Sequence, residues 1–580
     1  MRDQMLQLGL HPCCAGLWQG LPMALTWGFI GCDEVAKHGA GDVVMNPHFS
    51  KRALFTAGAA GLAAAALPGA RQAAAQQTPR NALVIAAQID DLVALDPHHS
   101  FEVTGSDLLK NVYDQLFIID DSKPSAELLP GLAESFTTSN DGKTFTFRIR
   151  QGVRFHSGNP LTAGDVAFSL RRPLQINRTP AFMYRSVGLT ADNVEQTVRQ
   201  TGDFEVQITF NEAYAPTLIQ NLFTATIASV LDSKLVLQNA GEDRGNTWLN
   251  RNSAGSGAFR LTRYQPNESY TLDRNDTWWR GRANTQRVIV RHVPEAATQR
   301  LLLERGDVDV ARNLTPTDIA ALRGRPGITI QEFPRGTIQY FSANLGDPIL
   351  SNLRVVEALK HLVDYDAIAT NLLPGQVFPH QSFIPRSILG EVNERPWRFD
   401  PTRARALLAE AGHPNGIRLT MDTANTFPSL DVAQALQASF ARGGVTLEVL
   451  PATGAQVLAK FRARNHQLFI GIWGLGYPDP HYNADSFAHN PPGANNPGKL
   501  TWRNNWNIPE LTARTEAAMR ERDQNARAAI YRQIQAEFMG TSPFAVFAQQ
   551  QVQVAVRSNL TGYAASSPGL SAILWRATKG

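Results

Sequence analysis

Cysteine is nearly missing from this chain. Cys13, Cys14 and Cys32 all fall in the first 32 residues, and nothing beyond them carries a thiol. A protein of an oxidising compartment must pair its thiols or omit them. Omission beyond Cys32 therefore excludes a disulfide scaffold and is compatible with export. Runs of five or six like charges are also lacking. With 55 Lys and Arg against 51 Asp and Glu, the net charge is only +4. No concentrated basic stripe marks a nucleic-acid footprint, so no nucleic-acid partner is expected. Beyond residue 75 no stretch is long and apolar enough to span a bilayer, and heptads and short repeats are missing. At 580 residues the chain exceeds what one compact core organises, so two or more lobes are expected.

Catalytic signatures are lacking too. Gly142-Lys143-Thr144 matches the end of a phosphate loop, but Thr137 stands where that loop requires a glycine, and a hairpin turn explains the segment. Gly255-Ser256-Gly257 lacks the G-x-S-x-G spacing of a nucleophile elbow, and there is no H-E-x-x-H. His98-His99 suggests a metal site, yet adjacent histidines on an extended segment point to opposite faces and cannot both grip one ion. Neither a metal nor an organic cofactor is expected, and the chain does not read as an enzyme.

What is present begins near the N-terminus. Met45 to Arg52 forms a short basic region, residues 53–70 are apolar and rich in Ala and Gly, and Ala73-Ala74-Ala75 supplies an A-x-A cleavage site. That order is a secretory signal peptide over 45–75. Ser50-Lys51-Arg52-Ala53-Leu54-Phe55 is similar to a twin-arginine export motif, with lysine replacing the first arginine. Residues 1–44 are expected to be an extension ahead of the true start at Met45. The rival is a lipoprotein signal ending at Cys32. Either way the mature protein is expected outside the cytoplasm.

Strand and helix patterns then alternate. Ala82 to Ala87 reads as a buried strand, and Leu108, Leu109, Val112 and Leu116 recur at helical spacing. Asn140-Asp141-Gly142 supplies a hairpin turn. After it Phe145, Phe147 and Ile149 face one side, and Thr144, Thr146 and Arg148 the other. Thr162 caps a helix with Asp165 in its first turn, and Asp400-Pro401 starts another that Gly412 ends. Strands at 418–423 and 446–450 flank a helix at 431–442. Such alternation predicts an α/β fold with mixed sheets.

Several of these stretches carry a family resemblance. Leu132 to Phe136, Asn140 to Arg150 and Gly152-Val153-Arg154-Phe155-His156-Ser157-Gly158 resemble the signature of family 5 solute-binding proteins of ABC importers, the dipeptide, oligopeptide and nickel-binding type. Leu161 to Val166, Gly255 to Phe259, Trp278-Trp279-Arg280-Gly281, Leu303 to Asp309, Leu353 to Leu359 and Trp473 with Tyr477-Pro478-Asp479-Pro480 continue it in order, across residues 81–580. The resemblance implies a two-lobed periplasmic-binding-protein fold with a ligand cleft between the lobes. Lobe 1 would comprise 80–117, 246–336 and 541–580, with an extra subdomain inserted at 118–245, and lobe 2 would be 337–540. Hinges would fall near 333–337 and 539–544, where Gly336 and Gly540 could absorb a bend. The implied function is capture of a small solute by a monomer in the periplasm and its delivery to an ABC permease. The alternative is a ligand-loaded sensory or chaperone adapter docking on a membrane receptor.

The resemblance also points to site residues. The loop carrying Phe101 and Glu102 faces the cleft in this family, although an ordinary exposed loop would look the same. Tyr340 and Phe341 beside the first hinge line the pocket or belong to a core strand. Trp473, Gly476, Tyr477 and Asp479 lie where an apolar strand enters a Gly/Pro turn, so Trp473 or Tyr477 would stack on a ligand or pack as core. Peptide-binding relatives carry an aspartate three residues after this tryptophan, pairing with the peptide ammonium. Here that position is Gly476. A buried ammonium without its partner would stay desolvated, so a ligand other than a peptide held by its free amino end is expected. Asp479 stands too far round the turn to substitute.

Overall fold

The computed structural model describes residues 78–79, 81–120, 127–493, 498–565 and 572–580, all within one compact unit, Arg71–Gly580. The signal peptide expected at 45–75, the extension expected at 1–44 and the three cysteines lie outside the described residues. Among those described, no helix is long and apolar enough to cross a membrane.

Two long strands organise the molecule. Ile328–Ala343 and Phe544–Arg557 run antiparallel from the Ile328–Arg557 pair to the Ser342–Phe544 pair. At one end they continue through Val310–Ala311, Ala82–Ala87, Arg287–His292, Ser269–Arg274 and Phe259–Gln265. Ala82–Ala87 is buried along its whole length and parallel to both neighbours, as its unbroken apolar run predicts. At the other end Ile328–Ala343 pairs with Leu468–Gly474, followed by Ile417–Ala424 and Val445–Ala452. With Val377–Pro379 paired beside Phe544–Arg557, the result is one eleven-stranded mixed sheet.

The register of the two long strands breaks between Pro334 and Ile338, where Arg335, Gly336 and Thr337 bulge opposite Gln549 to Gln551. A bulge bends the strand that carries it, so this is where the halves of the sheet meet. The segment 333–337 falls on the break. The segment 539–544 joins helix Gln524–Thr541 to strand Phe544–Arg557. Lys360 Nζ and Trp397 Nε1 both donate to the Met539 carbonyl, at 3.2 Å each, and Phe544 already pairs within the second half. The chain returns across the sheet later, opposite the bulge.

Between the first strand and this crossing sits a separate antiparallel sheet, ordered Ala133–Thr138, Thr144–Ile149, Glu205–Thr209, Val198–Gly202. Phe145, Phe147 and Ile149 are buried while Arg148 is exposed, as the alternation predicts. Gly142 takes φ +73° in the hairpin, a conformation that costs other residues a Cβ clash. Helix Ala163–Ile176 covers this sheet and opens with a capping box between Thr162 and Asp165. The apolar core of this region runs on into the second lobe, from Phe145, Tyr184 and Phe223 to Tyr340, Phe487 and Phe538. Ala215 N donates to the Met519 carbonyl at 3.0 Å, and Arg520 pairs with Glu212 at 2.6 Å. The 118–245 region and the segment around residues 480–540 are therefore in direct contact.

Candidate functional site

A cavity of about 540 Å³ lies at the bulge, walled from both halves of the sheet. One wall is the loop through Ser100, Phe101 and Glu102 and the first turns of helix Val103–Val112. The opposite wall is the end of strand Leu468–Gly474, the turn to Gly476 and the end of helix Gly454–Arg462. Arg335, Gly336 and Thr337 form its floor.

The aromatic lining follows from strand geometry. Tyr340 faces the cavity. Phe341 does not: successive strand side chains point to opposite faces, and Phe341 packs edge-on against Phe440 at 5.9 Å in the core of the second lobe. Trp473 lines the wall. Its Nε1 donates to Asn483 Oδ1 at 3.1 Å, and its ring lies 6.0 Å from those of Tyr482 and Phe487. Phe101 is 42% exposed and meets Phe182 edge-on at 5.7 Å. The Glu102 carboxylate turns back on its own loop, accepting from Phe101 N at 3.0 Å and Ser100 Oγ at 3.3 Å.

Gly476 lines the cavity, and its lack of a side chain is structural. A Cβ there would stand 2.6 Å from Tyr482 Cε2 and 2.9 Å from Met183 Cε. The space into which a side chain would project is already filled. Tyr477 and Asp479, expected in the site, are not among its walls. Tyr477 is buried edge-on to Tyr482 at 5.0 Å. Asp479 is fully buried and gripped by Arg527, with Nη2 to Oδ1 at 2.6 Å and Nη1 to Oδ2 at 2.8 Å. It also accepts from His481 N at 2.9 Å, capping helix Pro480–Phe487. Arg527 holds its carboxyl below the usual range against the opposing effect of burial.

His98 and His99 lie away from the cavity walls. His98 is fully buried, with Nε2 at 3.1 Å from the Ser229 carbonyl and Nδ1 at 3.0 Å from Arg172 Nη1. His99 meets Asn246 Nδ2 at 3.3 Å. Among the described residues no group of three or more His, Cys, Asp or Glu could hold a metal ion.

The sequence pattern missed the basic residues in the walls: Lys110, Arg335, Arg462 and Arg503. Lys110 Nζ donates to the Thr224 carbonyl, and burial lowers its pKa to about 7. Burial likewise lowers Arg335. Arg503 falls to about 10, through burial and the neighbouring charge of Arg462, and its guanidinium lies 5.0 Å from the Phe461 ring. Arg335 was the findable one, since it flanks Gly336 in a segment already marked as a hinge.

Comparison with known proteins agrees with this architecture. The family model described as bacterial extracellular solute-binding proteins, family 5 Middle, matches residues 127–495. Heme-binding protein A of Haemophilus influenzae is 26% identical over 488 residues, covering 80% of this chain and 86% of its own. The dipeptide-binding protein of Escherichia coli is 26% identical over 462 residues, covering 76% and 84%. Among solved structures, HbpA2 from Haemophilus parasuis matches with a TM-score of 0.73 and 25% identity, over 86% of this chain and all of its own. The dipeptide-binding protein from Pseudoalteromonas sp. SM9913 in complex with Met-Leu has the same fold, with a TM-score of 0.72, 21% identity and coverage of 86% and 100%. The chain belongs to the family 5 bacterial extracellular solute-binding proteins, a family of non-enzymatic binding proteins of ABC importers.

Proposed function

We propose that the cavity at the bulge is where the solute is captured, between lobe 1 (80–117, 246–336 and 541–580, with 118–245 inserted) and lobe 2 (337–540). The observation that carries this reading is that one cavity takes its walls from both halves of the sheet and its floor from the bulge between them. Phe101 and Glu102 from one side, and Tyr340, Trp473 and Gly476 from the other, would touch the solute. Contacts made with both lobes exist only when the lobes are together, so the solute stabilises the closed form by its differential affinity for it. Closure brings surfaces of both lobes to a membrane permease. The protein works as a monomer in the periplasm after cleavage of its signal near Ala75.

The solute is not a peptide held by its free amino end. Tyr482 and Met183 occupy the space a side chain at position 476 would need, so no carboxylate can stand there to meet an ammonium. Calorimetry of the mature protein with unmodified di- and tripeptides is expected to show no tight binding. Submicromolar affinity for them would overturn this part of the reading. Native mass spectrometry of freshly purified protein should reveal a non-covalent small molecule lost on denaturation.

A further inference from the structure

The charge of the cleft says more about its occupant. Four basic side chains line it, Lys110, Arg335, Arg462 and Arg503, against two acidic ones, Asp91 and Glu102. The acids do not cancel the bases. Glu102 is bonded to its own loop. Asp107 and, more weakly, Asp91 lie near enough to act on Arg335, but neither is paired with it, and Asp107 is already committed to Arg312 and to the backbone N of Ala572, the latter at 2.7 Å. Among the described residues no carboxylate pairs with the Arg335 guanidinium or stands near enough to act on Lys110. Arg462 and Arg503, on the second lobe, lie close enough to repel each other.

Cations taken out of water without a partner are costly, and the cost is removed if the occupant brings the opposite charge. A neutral solute would leave Arg335 buried with only the pull of Asp107 and Asp91, neither paired with it, and a cationic one would add repulsion. We propose that the solute is an organic acid with two or more anionic groups, received by Lys110 and Arg335 on one side and by Arg462 with Arg503 on the other. Its apolar middle lies against Tyr340 and Trp473. This rests on the capture reading above and narrows it to a class of ligand.

A proton accompanies such binding. An anion beside Lys110 raises an ammonium pKa that burial has lowered to about 7, so at pH 7.5 the complex takes up protons from solution.

The test pairs acids with their amides. N-acetylated acidic di- and tripeptides and aliphatic and aromatic dicarboxylates, each beside its diamide, are screened by thermal shift against the mature protein, and hits are followed by calorimetry in buffers of different ionisation heat. Acids are expected to bind and their amides not. Lys110→Met and Arg335→Gln should each weaken binding by ~30-fold, and proton uptake should vanish in Lys110→Met alone. Urea midpoints of the variants report whether they fold. Amides binding as well as acids, or acids whose affinity and proton uptake ignore both variants, would overturn the inference while leaving capture intact. The same holds if the solute released from purified protein is neutral or cationic. If no acid and no amide binds and no solute is released, the capture reading fails with it.

Discussion

The two walls of the cleft are held by the same short device used twice. Asp96-Pro97-His98 supports the loop of Phe101 and Glu102, and Asp479-Pro480-His481 supports the turn of Trp473 and Gly476. Each aspartate accepts the amide two residues on, His98 N at 3.0 Å and His481 N at 2.9 Å. Each is gripped at both oxygens by a fully buried arginine from a distant helix, Arg172 or Arg527, with shortest contacts of 2.6 Å. Each also takes an asparagine, Asn246 at 2.8 Å or Asn221 at 3.2 Å. The difference lies in what surrounds the pair. In the first turn everything belongs to lobe 1 and its insert, and both nitrogens of His98 are bonded. In the second, Asn221 and Thr217 reach Asp479 and Arg527 from the 118–245 region, and both nitrogens of His481 lack hydrogen-bond partners among the described residues. The first device is a fixed support. The second is a support shared with residues 217–221 of the 118–245 region.

The largest effects come from the aspartates. Asp96→Ala or Asp479→Ala leaves a buried guanidinium without its counter-charge, at a cost of about 3–5 kcal/mol each. Urea denaturation of the ligand-free protein measures this. Replacing both members of the second pair, Asp479→Leu with Arg527→Met, should recover most of the loss, since an apolar pair restores no unmet charge. If only one aspartate proves costly, the two turns are not equivalent supports.

The histidines separate the turns at the next level. Burial lowers His98 to about 3 and His481 to about 4, both below the ordinary 6.5. A folded pKa below the unfolded one means the unfolded chain binds protons first. Stability is therefore full above pH 6.5 and falls as pH drops from 6.5 towards 4. The carboxyls of Asp96 and Asp479, also lowered, hold their contribution until pH falls below about 4. His481→Phe removes a group with no bonds to lose, so at pH 7.5 it should be neutral or stabilising. At pH 5 it should gain about 2 kcal/mol over the parent. His98→Phe strips Arg172 and the Ser229 carbonyl of a partner and should destabilise by about 1–3 kcal/mol at pH 7.5. Urea midpoints at the two pH values decide, and equal behaviour of the two variants would break the contrast.

Neither device was legible in the sequence, although the parts around them were. The face of Phe145, Phe147 and Ile149, the capping box at Thr162 and the buried strand at Ala82 to Ala87 all follow from local pattern, because their partners sit within a turn or two or along one strand face. Arg172 and Arg527 lie 76 and 48 residues from their aspartates, so Asp479 looked like a free polar group in a site turn. Tyr340 and Phe341 were inseparable because both faces of that strand are buried, and parity alone does not say which face meets the cleft. Lys110 looked like one charge on a helix beside Leu108 and Leu109. Only the meeting of the two lobes makes it part of a cavity wall. The bulge, by contrast, was findable at Gly336, whereas the return crossing carries no glycine at all: Gln549 to Gln551 give no local mark of a bend.

The smallest effect tests the claim about closure most directly. Asn246→Ala and Asn221→Ala each remove one hydrogen bond to a buried carboxylate, worth about 1.5 kcal/mol. If the insert moves with lobe 1, the Asn246 bond persists in the open form and the Asn221 bond does not. Asn246→Ala should then lower the urea midpoint of ligand-free protein and leave solute affinity unchanged. Asn221→Ala should leave that midpoint almost unmoved where the free protein is mostly open, and weaken solute binding about tenfold through the lost closed-state contact. The measurement is paired: calorimetric affinity and urea midpoint on both variants with the solute recovered from the native protein. An Asn221→Ala loss confined to the urea midpoint would make the second turn a plain support like the first, and closure would then be held by the cleft alone.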